Sequence, residues 1–144
     1  MHMADALLSP AVGVAFMGAS GATLAVAAKK LRDEADDRKV PLMGVLGAFV
    51  FAAQMINFSI PGTGSSGHIG GGMLLTMLLG PWSAFITIAS VLVVQALFFA
   101  DGGILALGTN IWNMGIYPCF IGWFIYKVIA GKNPSRISVS LAAI

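Results

Sequence analysis

The chain has 144 residues, of which 58% are hydrophobic and 10% charged, with 18 glycines; its mean hydropathy is +0.88. A soluble domain with that balance lacks the polar residues to cover its core, so composition assigns the chain to a bilayer. The formal charge of +2 is too small and too scattered for nucleic-acid binding, and the single cysteine, Cys119, excludes an intrachain disulfide framework.

The chain opens Met1-His2. A free amine at residue 1, the amide nitrogen between residues 1 and 2 and the His2 imidazole can chelate one metal through two fused rings. Residues 6–28 form the first apolar stretch, about long enough to span a ~30 Å hydrocarbon core as a helix. No basic segment precedes it, which argues against a cleaved signal peptide, although Ala25, Ala27 and Ala28 imitate a cleavage site. The charged segment 29–39 follows, then an apolar stretch 41–60. A glycine-rich loop, residues 62–72, carries the only other histidine, His68, which can supply a fourth nitrogen. Four nitrogens in a plane suit Ni(II), Cu(II) or low-spin Co(II) better than calcium, magnesium or tetrahedral zinc.

A short apolar piece, 69–79, ends at Gly80-Pro81; longer spans are expected over 82–100 and 104–130, joined by the turn Asp101-Gly102-Gly103, with Pro118 expected to kink the last. Residues 138–144 read as the first turns of a further span, too short to cross, so the chain is expected to be truncated at its C-terminus. All eight basic residues fall in two places: Lys29, Lys30, Arg32, Arg38 and Lys39, and then Lys127, Lys132 and Arg136. The positive-inside rule puts both groups on the cytoplasmic side, so an even number of crossings separates them. The short piece must therefore bring the chain back inward near Gly80, as a half-length segment lining a cavity or binding site. This topology puts the N-terminus and His68 on one outer face, with Trp82 and Trp123 as anchors at the inner one.

Asn57, Asn110 and Asn113 fall near the outer ends of their spans, and Ser65 and Ser66 beside His68; they are candidates for supporting the ligands. The plain alternative for the amides is that they tie helices together. Gln54 and Gln95 lie deeper and read as structural, and Met55, Met73, Met77 and Met114 as packing. Asp101 reads first as a turn former. A His2-Met3 start is also what a cloning site leaves, and a loop histidine is ordinarily just solvated; the pair gains weight from sharing a face. No nucleophile and base pair, phosphate loop or nucleotide motif occurs, so nothing points to an enzyme or to intrinsic ATP use.

Several segments carry a family resemblance: Met1 to Pro10, Gly64-Ser65-Ser66-Gly67-His68, Leu79-Gly80-Pro81-Trp82, Gln95-Ala96-Leu97, Asp101-Gly102-Gly103 and Leu107-Gly108-Thr109-Asn110. Over essentially the whole chain they resemble the CbiM/NikM family, the cobalt- and nickel-specific substrate-binding components of energy-coupling-factor ABC importers. The resemblance implies an all-α polytopic membrane bundle with an extra N-terminal helix, forming a single domain over 1–144. It implies that Met1, His2 and His68 hold Co(II) or Ni(II) as transported substrate, captured from the outer face of the plasma membrane. It also implies a transmembrane coupling protein, two cytoplasmic ATPases and a small accessory membrane protein as partners. Position 6, often glycine in that family, is Ala6 here. The competing expectation is a non-transporting helical membrane or accessory protein with incidental outer histidines.

Overall fold

The computed structural model describes residues 2–34, 36, 38–63, 65–130 and 135. After a short 3-10 turn, Asp5–Leu7, the elements in order are α1 (Pro10–Glu34), α2 (Lys39–Gln54), strands β1 (Phe58–Ile60) and β2 (Ser65–Gly67), α3 (Gly72–Leu79), α4 (Pro81–Phe98) and α5 (Leu107–Ile111). A π-helical stretch, Trp112–Gly122, then leads into α6 (Trp123–Ala130). The expected all-α architecture holds, apart from one two-stranded antiparallel ribbon.

Two helices are long and apolar enough to cross a membrane, α1 and α4, and they play different parts: 17% of the α1 window is buried inside the protein against 56% for α4. The core accordingly forms around α4, whose Phe85, Ile88 and Leu92 are fully buried and cluster with Leu75 of α3, Val50 of α2 and Met114 of the π stretch. Small residues set the close approaches. Ser20 of α1 donates to the Gly108 carbonyl at 3.0 Å, and a Cβ on Gly108 would lie 2.6 Å from the Met17 Cα.

The half-length helix expected before Gly80 is α3, eight residues or about 12 Å long. Gly71 (φ +77) and Gly80 (φ +82) bracket it in left-handed backbone, and Pro81 stands at the first turn of α4, where its missing N–H costs nothing.

Several boundaries differ from expectation. Helix α1 runs through Lys29, Lys30 and Arg32 to Glu34, because these are good helix formers and need no apolar environment. The second apolar stretch does not stay helical to residue 60: α2 stops at Gln54 and Phe58–Ile60 is an exposed strand. Hydrophobicity alone cannot separate the end of a span from an apolar strand beside it. At Pro118 the distortion is a π-helical stretch, whose wider turns absorb the missing N–H and the ring. Residues 138–144, Lys132 and Arg136 lie outside the described residues.

Candidate metal centre

The site is assembled from the N-terminus and two loops. The Met3 amide donates to Asn110 Oδ1 at 2.8 Å, and Asn110 Nδ2 donates to the Met3 carbonyl at 3.3 Å. Gly103 N–H donates to the same carbonyl at 3.2 Å, and Asp5 Oδ1 accepts from the Ala106 amide at 2.8 Å. One asparagine side chain thus meets both polar groups of one backbone residue, which fixes the segment in direction as well as position. It seats His2, which is only 3% exposed.

Glycine is required on the opposing loop. Gly102 has φ +85, and a Cβ there would lie 3.2 Å from two His2 carbons and 3.0 Å from Asn110 Nδ2, while one on Gly103 would run into Asp5. The loop is aimed by the end of α4, where the Gln95 carbonyl accepts both the Phe99 and Asp101 amides at 3.1 Å and Ala100 takes a left-handed φ of 52. Asp101 Oδ1 arrives 3.3 Å from His2 Nδ1.

His68 comes from the other side, directly after β2. The ribbon pairs Phe58 with Gly67 and Ile60 with Ser65, and the Phe58 ring covers Gly67 so closely that no Cβ fits. His68 Nδ1 lies 2.8 Å from the Ile69 carbonyl. A carbonyl only accepts, so Nδ1 carries the proton and the neutral ring is left with a lone pair on Nε2. That atom is 3.0 Å from His2 Nδ1.

Two nitrogens bound at roughly 2.0–2.1 Å to one metal are about 2.9 Å apart at a right angle and about 3.4 Å at a tetrahedral angle. The observed spacing is nearer the first. Burial pushes the His2 pKa down from 6.5 to about 4, with His68 reinforcing the shift and the Asp101 carboxylate opposing it. Burial also lowers His68, against the pull of the Ile69 carbonyl. Both rings are therefore neutral at pH 7 and need shed no proton to accept a cation. Among the described residues no group of three or more His, Cys, Asp or Glu side chains is placed to hold a metal.

Of the other anticipated residues, Met1 lies outside the described residues, as do the Ser65 and Ser66 side chains. Asn110 supports the site through the Met3 backbone, and Asn113 Nδ2 lies 3.7 Å from Met3 Sδ. Asn57 is exposed in the turn before β1, with no hydrogen bond to another described residue. Three contributors escaped the sequence reading: Asp101, taken first as a turn former, and the buried Gln54 and Gln95. The glycines after Asp101 gave its place in the turn, and nothing in the sequence tied either glutamine to the site.

The family model for the cobalt uptake substrate-specific transmembrane region, CbiM, matches residues 2–144. The chain belongs to this family. It is 36% identical over 128 residues to the fused nickel transport protein NikMN of Rhodobacter capsulatus, covering 89% of this chain and 37% of the relative. It is 42% identical over 115 residues to the cobalt transport protein CbiM of Acetoanaerobium sticklandii, covering 80% of this chain and 46% of that one. A solved structure described as a truncated transition metal transporter superposes with a TM-score of 0.88 at 40% identity, over 99% of this chain and 66% of the other. The chain spans about half the length of the curated relatives it matches, 50% for one from Archaeoglobus fulgidus aligned over the whole of this chain. Membership of a transmembrane family and the two long apolar helices place the chain in a membrane.

Proposed function

We propose that this chain is the single-domain, multi-pass substrate-binding subunit of an energy-coupling-factor importer, taking Co(II) or Ni(II) from the outer face of the membrane. The observation that carries the reading is the approach of His2 Nδ1 and His68 Nε2 to 3.0 Å, two neutral nitrogens 66 residues apart in the chain. The Met1 amine and the His2 amide complete a square of four nitrogens, the amide releasing its proton to water as the metal takes its place. Square-planar nitrogen donors favour Ni(II) and low-spin Co(II). The family name and the named relatives support these ions as cargo. The chain carries no nucleotide motif, so ATP hydrolysis falls to two separate cytoplasmic ATPases, reached through a transmembrane coupling protein, with a small accessory membrane protein completing the complex. The chain itself catalyses no reaction.

The test is an added residue ahead of Met1, which removes the amine from its place while sparing both imidazoles and every helix. The nickel-loaded parent is expected to be diamagnetic with square-planar absorbance, and the extended chain to lose tight binding, as are His2→Ala and His68→Ala. Tight nickel binding with an unchanged spectrum in the extended chain would rule the chelate out.

A further inference from the structure

We propose that the Asp101 carboxylate is the counter-charge of the loaded site, balancing the positive charge that a divalent ion leaves on its four nitrogens. The inference deepens the metal-binding reading above and rests on it.

An aspartate ahead of two glycines ordinarily forms a turn by folding its carboxylate back onto the amides that follow. Asp101 turns its carboxylate into the site. Its Oδ2 is buried with no hydrogen-bond partner, and its Oδ1 lies 3.3 Å from His2 Nδ1, the nitrogen that also faces His68. The backbone is bent to put it there: Ala100 holds a left-handed φ of 52 although it carries a Cβ, and the Asp101 amide is tied to the Gln95 carbonyl at 3.1 Å. Strain of this kind persists only where the surroundings enforce it. The nearby Asp5 is occupied differently, by the Ala106 amide at 2.8 Å.

Two neutral imidazoles, a neutral amine and a deprotonated amide bring one negative charge to a divalent ion. The loaded centre then keeps one positive charge. With His2 only 3% and Asp101 only 17% exposed, water screens that charge poorly, and the Asp101 carboxylate brings the sum to zero. No basic side chain competes for it. Among the described residues the ion pairs are His2 with Asp101 and Lys39 with Glu34, so neither a lysine nor an arginine stands against this carboxylate. A buried carboxylate oxygen without a partner destabilises the empty protein, and an arriving cation relieves that cost.

The test compares Asp101→Asn, the same shape without the charge, with Asp101→Glu, which keeps the charge, in the full chain in detergent. Nickel affinity is expected to fall about 10- to 100-fold in the Asn variant, the effect of one unit charge lost a few ångströms from a half-screened ion. Its square-planar absorbance is expected to stay. Its Ni(III)/Ni(II) potential, read by voltammetry, is expected to move positive, because the more highly charged ion loses more from the missing anion. The Glu variant is expected to keep the parent's potential and to bind more tightly than the Asn variant. Parent-like affinity or potential in Asp101→Asn, or a Glu variant that binds no better than it, would overturn the proposal. Circular dichroism checks helix content, and Asp101→Ser stands in if the Asn variant lacks it. A parent that binds no nickel ends the transport reading and this proposal together, whereas a tight-binding parent beside a parent-like Asn variant ends this proposal alone.

Discussion

Truncating Asn110 to alanine leaves the Met3 amide without its acceptor and the Met3 carbonyl with the Gly103 N–H alone, and an unsatisfied buried amide costs about 1–3 kcal/mol. Asn110→Ala is therefore expected to weaken nickel binding by about 10-fold or more, measured by titration, with helix content by circular dichroism unchanged. A second expectation concerns protons. His2 titrates near 4 in the folded protein against 6.5 unfolded, so between those values the unfolded chain binds a proton that the folded chain refuses. The stability from burying the neutral ring is complete above pH 6.5 and is lost as pH falls toward 4. Thermal unfolding of the metal-free protein should occur at lower temperature at pH 5 than at pH 7.5, with a shallower pH slope in His2→Ala. At this scale the two histidines were legible, because an N-terminal His and a lone loop His on one predicted face are unusual together. Gln54 and Gln95 were not, since a buried amide in an apolar helix looks the same in sequence whether it ties helices or holds a loop, as Gln54 holds the Gly70 carbonyl.

Among the elements, α2 carries small residues on two faces. Gly44, Ala48 and Ala52, four apart, suggest a face for close helix approach. The tight contact within the chain is at Gly47, where a Cβ would come within 3.0 Å of Thr87 Cγ2 on α4, and Gly44 has open space. Gly44 and Ala48 line an open groove of about 540 Å³ between α2 and α4, with Phe51, Val91 and Phe99 on its walls. Ala48→Leu is thus expected to leave nickel affinity unchanged and to reduce co-purification of the coupling protein; unaltered co-purification removes this face as a docking surface. Gly47→Leu should lower thermal stability outright, since overpacking a helix contact costs roughly 1–3 kcal/mol. The strands were hidden for a different reason. Phe58 and Ile60 add to the apolar count of the preceding span, and pairing between such short segments is decided by their partner, not by periodicity.

Taken whole, the molecule puts its polar machinery at one end of α4 and its aromatic anchors at the other, where Trp82 packs against Phe120 at 4.7 Å and Lys127 lies 4.9 Å from the Trp123 ring. The charge pattern had separated the same two ends, which is why this polarity was readable. Cysteine labelling in sealed vesicles tests its direction: Ser9→Cys and Ser65→Cys are expected to react from outside and Asp36→Cys only from inside. Native Cys119 is fully buried, so it adds little background, and labelling of Ser9→Cys and Ser65→Cys from opposite faces would break the site apart. The Met3 clamp carries one more consequence. Its two partners are separated by 107 residues, so the beginning of the polypeptide has nowhere to dock until α5 has been synthesised and inserted. Loop closure over that distance makes the seat a late event in biogenesis. A nascent chain released early presents every upstream helix and both histidines, yet has no asparagine to receive its own first residues.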